Sequence, residues 1–295
     1  MKRLIINADD FGLTYGVNRG IAESCVQGAV TSVTLMAVGR QWRDAVEVVR
    51  GTLDNLAVPV SVGCHVVLVD GSPVLPAASI PSLLNGGRGG PQFRDSFSSF
   101  TRGAMSGRLN ADELEAEISS QIVRLQQAGL LLSHVDTHKH AHLFPSVLRS
   151  LIQALKKCGI KSLRNPFYPV RFPSLHQLRG RPRLVRRFVQ VPLLRSYAKR
   201  FRAAVEANGL TAPDGCIGVY SSAFQSYAQM DEVLRRLPEG TWELVCHPGY
   251  NDAELNLINT SLRTSRETEL EMLTSSQFHE MLRRHEITVC SYCDL

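Results

Sequence analysis

The sequence predicts a single α/β domain in which a parallel sheet closes into a (β/α) barrel. Strand-like and helix-like segments alternate along all 295 residues, which is the pattern of a parallel sheet. No stretch has the composition of a linker, so we assign residues 1–295 to one domain. Polar residues recur where the predicted strands end, and in a (β/α) barrel those ends share the face that hosts active sites.

The first half of the chain begins with an apolar run at residues 4–8, which predicts a buried strand ending on Asp9 and Asp10. A helix is predicted over residues 16–28, because apolar side chains recur at every fourth position and Gly28 follows as a stop. The other elements predicted for this half are strands at 30–38 and 58–69, a helix at 42–50 and a long loop at 70–97.

The second half begins with the clearest helix, at residues 110–129, where Asn110 and Glu113 form a capping pattern ahead of an apolar stripe. A strand is predicted at 133–142. The remaining elements are helices at 145–157, 230–237 and 276–285, strands at 162–165, 216–221, 242–247 and 287–290, and a basic helical insert at about 171–205.

The strand at 133–142 holds four histidines and one aspartate on alternate positions: His134, Asp136, His138, His140 and His142. Alternate side chains of a strand share one face, so that face would carry only imidazole and carboxylate. Such groups are costly to bury unless they are paired or bound to metal, and neutral imidazole is the commonest side-chain metal ligand. The stretch predicts a metal site, with a solvated histidine-rich loop as the simpler alternative.

Three other strand ends supply further candidates. Asp9 and Asp10 are adjacent carboxylates, which a fold tolerates best beside a cation, although they could also cap the following helix. His65 interrupts an apolar strand, and one Asp with two His makes a common open-sided metal site. His247 begins a proline–glycine turn and could act as an acid opposite a carboxylate base; a simple turn histidine is the alternative.

Charge is distributed unevenly in an otherwise ordinary globular composition of 44% hydrophobic and 20% charged residues. Between Asp136 and Glu206 there is no acidic residue but sixteen Lys and Arg. This favours a negatively charged partner, which could be anionic lipid, nucleic acid or phosphate. We expect no nucleic acid, because no nucleic-acid-binding motif accompanies the charge.

Seven scattered cysteines indicate free thiols in a reducing compartment. Cys290 and Cys293 form a single C-x-x-C, which on its own is weak evidence for zinc or redox chemistry. We find no signal peptide and no apolar run near the roughly 20 residues of a membrane span. The expected location is cytoplasmic. A peripheral position at the inner face of the membrane is the second possibility.

Five motifs occur in order: A-D-D-F-G at 8–12, G-x-H-x-x-L at 63–68, H-x-D-T-H-x-H at 134–140, L-R-N-P at 163–166 and H-P-G at 247–249. Together they resemble the YdjC/ChbG-like carbohydrate deacetylases over nearly the whole chain. Residues 65–76, H-V-V-L-V-D-G-S-P-V-L-P, further resemble the hopanoid-biosynthesis, HpnK-type branch.

The resemblance implies a distorted TIM-like barrel that removes acetyl groups from N-acetylated sugars with one divalent metal. Zinc is expected first, with magnesium, manganese, cobalt or nickel also compatible. By motif position, the metal ligands would be Asp10, His65 and His138, the base Asp9 and the acid His247. Thr137 stands where the family more usually has Ser.

Three further residues, Arg164, His140 and Asp136, are assigned to substrate binding, with orientation of Asp9 as an alternative for Arg164. The expected substrate is an N-acetylglucosamine-type headgroup of a glycosylated hopanoid. Residues 171–205 would then lie on anionic membrane, or form a solvated helical face at the edge of a homodimer. The alternative functions are a deacetylase of soluble chito-oligosaccharides, a non-catalytic lipid- or sugar-binding protein, and a metallophosphoesterase.

Overall fold

Among the described residues, eight parallel strands form one central sheet. The structure, a computed structural model, describes residues 1–85, 91–167, 196–218 and 226–295. The strands are β1 (Lys2–Phe11), β2 (Ser32–Leu35), β3 (Ser61–Val66), β4 (His134–Thr137), β5 (Ser162–Leu163), β6 (Gly215–Ile217), β7 (Gly240–Cys246) and β8 (Ile287–Cys290). Their order is β5-β4-β3-β2-β1-β7-β6, and β8 pairs with the first residues of β1.

The helices cover this sheet and alternate with its strands. They are α1 (Tyr15–Val26), α2 (Trp42–Gly51), α3 (Phe97–Met105), α4 (Ala111–Gln127), α5 (Pro145–Cys158), α6 (Tyr227–Arg235), α7 (Thr264–Thr274) and α8 (Ser276–Arg284). Residues 196–207 are helical as well. No helix in these ranges is both long and apolar enough to cross a membrane.

The sheet curls around β1, because three other strands pair with it. Its residues 2–8 pair with β7 on one side, while β8 and then β2 pair with successive parts of its other side. At the outer edges, Ser162 forms an isolated bridge with Thr211, and the Cys216 N–H donates to the Phe167 carbonyl over 3.1 Å. The predicted α/β fold, a parallel sheet curled like a TIM barrel and surrounded by helices, is confirmed.

Capping and packing explain the element that the sequence predicted best. The Asn110 side chain accepts hydrogen bonds from the N–H groups of Asp112 and Glu113, over 2.8 and 3.3 Å, and so begins α4. The buried face of α4 then docks part of the 70–97 loop. Glu117 accepts from the N–H groups of Val74 and Leu75 over 2.9 and 3.0 Å.

The predicted strand at 133–142 is wrong beyond Thr137. β4 ends there, and a turn over His138–Leu143 follows in which Lys139 and His140 have left-handed φ angles of 54° and 52°. The alternating face therefore does not continue: the chain folds back on itself directly after β4. The first residue of the turn, His138, remains beside the sheet end, and His142 returns to contact Thr137.

The predicted basic insert falls mainly on residues 171–195, which lie outside the described ranges. Its last part is the helix at 196–207, which buries Phe201 and exposes Lys199, Arg200 and Arg202. The predicted strand at 216–221 is described only as far as Gly218, and β6 ends at Ile217.

Candidate active site

The site begins where β1 ends, on two adjacent carboxylates. Asp10 has a left-handed φ of 66°, and Gly12 follows with φ of 97°. Aspartate tolerates this region better than most residues, and non-glycine residues held there cluster at functional sites. The turn lets Asp9 and Asp10 serve different partners although they are neighbours in the chain.

Asp10 meets two histidines from neighbouring strands. Its Oδ1 lies 3.5 Å from His65 Nε2 and 3.4 Å from His138 Nδ1, and these two nitrogens are 3.3 Å apart. Ligands held about 2.0–2.2 Å from a tetrahedral metal are about 3.4 Å from one another. Asp10 Oδ1 is also buried and has no hydrogen-bond partner among the described residues. The three residues therefore fit a divalent ion.

The other oxygen of Asp10 is already occupied. Arg266, which is 1% exposed, donates from Nη2 to Asp10 Oδ2 over 2.6 Å. Burial favours the neutral acid, but Arg266 and His138 together hold the pKa of Asp10 well below its usual value. Asp10 is thus a carboxylate with one oxygen neutralised and one directed at the histidines.

His65 is oriented from behind by Asp136. The Asp136 Oδ1 lies 2.7 Å from His65 Nδ1, so Nε2 faces Asp10 and His138. A carboxylate in this position fixes the tautomer of a ligating histidine. Burial opposes protonation of His65, but Asp136 and Asp9 raise its pKa to about 9. Metal binding at Nε2 would displace that proton.

Asp136, which the sequence assigned to substrate binding, contacts protein groups on both of its oxygens, and its contact with substrate stays a prediction. It is fully buried, and its second oxygen accepts from Arg164 over 2.5 Å and from Thr34 over 3.2 Å. Protein groups bind both oxygens of Asp136, and these contacts suit a residue that positions His65. Asp9, His65 and Asp136 also form a compact acid–histidine group, but Arg164 already neutralises its carboxylates.

Asp9 is held by a paired contact from Arg164. The guanidinium donates to Asp9 Oδ2 over 2.7 Å and to Oδ1 over 2.6 Å, and Asn7 adds a bond of 2.9 Å. Burial would raise the pKa of Asp9, but Arg164 together with His65 and His247 outweighs it and holds the pKa far below the usual range. Arg164 is itself fully buried and is also bound by Glu243. Its contacts correspond to the orientation of Asp9, the alternative to sugar binding.

His247 closes the opposite side of the site. Its Nε2 lies 4.0 Å from Asp9 Oδ2, and its backbone N–H donates to Glu269 Oε2 over 2.5 Å. Burial lowers the pKa of His247 to about 4 against the opposing charges of Asp10 and Asp9. Two glycines bring this strand end against α1: a Cβ on Gly20 would lie only 2.5 Å from the Cα of Gly249.

A model of the YdjC-like protein family matches residues 3–284 of the sequence. The chain belongs to the YdjC-like family. Among curated relatives, a carbohydrate deacetylase of Brevibacillus brevis is 30% identical over 296 residues, covering 99% of both chains. A carbohydrate deacetylase of Vibrio parahaemolyticus is also 30% identical, covering 99% of this chain and 96% of its own.

A solved structure has the same fold. It comes from Enterococcus faecalis V583 and is described as a candidate cellobiose-phosphate cleavage protein. It is 25% identical to this YdjC-like chain, has a TM-score of 0.77, and the match covers 99% of this chain and 98% of that one. The match to this structure agrees with a single TIM-like domain in the described residues.

Two other histidines of the 133–142 stretch, His140 and His142, lie at the margin of the YdjC-like site. His142 is buried, and its Nδ1 lies 2.6 Å from the hydroxyl of Thr137. His140 is partly exposed, and its Nδ1 is buried without a partner in the described part of the chain. Burial and the nearby charge of Arg164 hold the pKa of both well below the usual value. Substrate contact by His140 stays a prediction.

Sequence reasoning missed three charged residues of the site: Glu243, Arg266 and Glu269. Arg266 and Glu269 are three residues apart on α7, so they share one helix face, and that face is buried. The charged R-x-x-E spacing was the available signal. The spacing was not recognised because α7 was not predicted. A helix that buries charged residues has no continuous apolar stripe by which to predict it.

Proposed function

We propose that this YdjC-like protein is a metal-dependent N-deacetylase of N-acetylglucosamine-type sugars. The observation that carries the proposal is the convergence of Asp10 Oδ1, His65 Nε2 and His138 Nδ1 within 3.5 Å of one another. A second carboxylate, Asp9, stands beside them without belonging to that group. The curated relatives named as carbohydrate deacetylases support the reaction class.

Asp10, His65 and His138 would hold the ion, with zinc expected first and magnesium, manganese, cobalt or nickel as alternatives. A divalent ion here supplies Lewis acidity, which polarises the acetamide carbonyl and lowers the pKa of a bound water. Arg266 and Asp136 keep Asp10 and His65 in the orientation that this requires.

The protein residues then move one proton. Arg164 keeps Asp9 ionised, so Asp9 accepts a proton from the attacking water as the water oxygen bonds to the carbonyl carbon. His247, with Nε2 4.0 Å from Asp9, takes up that proton and delivers it to the sugar nitrogen as the C–N bond breaks. The products are acetate and the free amino sugar, and both residues return to their starting states.

The finer substrate proposal is the headgroup of a glycosylated hopanoid. It is supported by the resemblance of residues 65–76 to the hopanoid-associated branch and by the basic character of residues 171–205. In the described part of that segment, Lys199, Arg200 and Arg202 are exposed. We propose that the protein is cytoplasmic and meets anionic lipid at the inner face of the membrane through this segment.

The test is acetate release from an N-acetylglucosaminyl hopanoid dispersed in detergent and from chitobiose, before and after chelation and re-addition of zinc. Release should require metal and should be lost in His138→Ala. His279→Ala is the matched control, because His279 lies on α8 and bonds to the Ser275 carbonyl.

Any other result of this assay would favour one of the alternative functions. Release from chitobiose alone would keep the chemistry and remove the lipid. Inorganic phosphate released from a phosphorylated sugar, with no acetate, would indicate a metallophosphoesterase. Binding of either substrate without turnover would indicate a non-catalytic binding protein.

A further inference from the structure

A cavity of about 370 Å³ lies beside the candidate site, between α5 and the helical residues 196–207. Its described walls are mainly apolar: Leu148 and Ile152 from α5, Phe201 and Ala204 from the facing helix, and Phe167 after β5. Arg149 and Arg200 also line it and are exposed to solvent. Pockets that bind small molecules are typically of this size and mostly apolar.

One polar group is buried in this apolar wall. His142 is 1% exposed, its ring lies 6.3 Å from that of Phe201, and Phe201 lies 5.7 Å from Phe167. The Nδ1 of His142 is engaged by Thr137, the Arg164 backbone also contacts the ring, and Nε2 has almost no exposed surface. His142 thus connects the wall of the cavity to Thr137, the last residue of β4.

The cavity is continuous along the chain with the catalytic residues. His142 belongs to the turn that begins at His138, and Phe167 follows Arg164 by three residues. Both segments leave the sheet at the ends of neighbouring strands, β4 and β5. A sugar bound at His138 would therefore have the cavity next to it on the β4–β5 side.

We propose that this cavity binds the apolar aglycone of the glycoside whose sugar is deacetylated. The inference rests on the proposed function and deepens it, because it makes the enzyme selective for glycosides that carry an apolar group. The aromatic and aliphatic walls receive the apolar body of the aglycone.

The test uses N-acetylglucosaminides with methyl, butyl, octyl and dodecyl aglycones, below their micelle concentrations. In the unaltered protein KM should fall as the chain lengthens, by up to about fourfold for each fully buried methylene. Ala204→Trp should fill the cavity and abolish this dependence while leaving the rate on the methyl glycoside unchanged. Ala203→Trp is the matched control, since Ala203 is the exposed neighbour on the same helix.

A second measurement separates this inference from the proposed reaction. Octyl β-glucoside has no acetamide, so calorimetric titration reports cavity binding whether or not the protein deacetylates anything. One-to-one binding that Ala204→Trp loses and Ala203→Trp keeps would support the cavity even if every glycoside released no acetate. A KM independent of chain length, or a dependence retained by a folded Ala204→Trp, would overturn it. Ala204→Leu serves as a smaller filling if the tryptophan variant unfolds.

Discussion

Arg266 binds one oxygen of Asp10 and leaves the other for the histidines. The guanidinium Nη2 lies 2.6 Å from Asp10 Oδ2, while Oδ1 lies 3.4–3.5 Å from His138 and His65. Arg266 also approaches the His247 carbonyl, over 3.5 Å. A residue from α7 thus sets the orientation of a carboxylate on β1, and through it the geometry of the proposed metal site.

Replacing Arg266 with Met should weaken metal binding. Loss of a group that orients a metal ligand typically costs about 10- to 100-fold in metal affinity. Titration of the metal-free protein with zinc should show that loss, and excess zinc should restore much of the acetate release. Arg283→Met, at an exposed arginine of α8, should bind zinc like the unaltered protein. Unchanged affinity in Arg266→Met would remove the positioning role.

The two adjacent aspartates should fail in different ways. Asp9→Asn keeps Asp10, His65 and His138, so zinc should bind with full stoichiometry while kcat falls by roughly 10²- to 10⁴-fold, the usual worth of a general base. Asp10→Asn should lose zinc first and activity as a consequence. Metal analysis of each purified variant beside its kcat checks this. Metal loss in Asp9→Asn with retention in Asp10→Asn would reverse the two roles.

Much of the fold and several residues of the candidate site could be predicted because they follow from local sequence. β1 is an apolar run, α4 has its cap and stripe, and His65 is an isolated polar residue in an apolar strand. Each of these signals is contained within a few neighbouring residues of its own element. The parallel order of strands then brings their ends together without further information.

The rest depends on long-range charge pairing, which a sequence pattern does not record. Arg164 binds Asp9 across 155 positions, and Arg266 binds Asp10 across 256. The turn after β4 is similar: His138–His142 alternate like a strand in sequence, but Lys139 and His140 adopt left-handed angles. Asp70 forms an ion pair with Lys139 across the neighbouring loops, a contact that periodicity could not reveal.

Glu117 should hold the 70–97 loop on α4. Glu117→Ala would leave the partly buried N–H groups of Val74 and Leu75 without their acceptor, which costs less than the roughly 1–3 kcal/mol of a fully buried group left unpaired. We expect a lower free energy of unfolding and faster proteolysis within the loop. Glu115→Ala, which removes an acid at the edge of α4 4.0 Å from Lys157, is the control. Equal proteolysis of the two variants would mean that the loop is held by other contacts.

The stability of the protein should depend on pH through Glu269. Burial raises its pKa from 4.5 to about 7, although the His247 N–H and Arg266 oppose that shift. Between these two values the folded state binds more protons than the unfolded state, so stability is lost as pH rises through the window. The loss is complete above about pH 7 and is on the order of 3 kcal/mol.

Glu269→Gln removes this titration while keeping an oxygen for the His247 N–H. The free energy of unfolding in urea, measured on chelator-treated protein from pH 4.5 to 8, should fall more steeply for the unaltered protein than for Glu269→Gln. Glu271→Gln, at an exposed position of the same helix, should follow the unaltered protein. Parallel pH profiles for the unaltered protein and Glu269→Gln would show that Glu269 is already ionised in the folded state, held so by Arg266 and the His247 N–H.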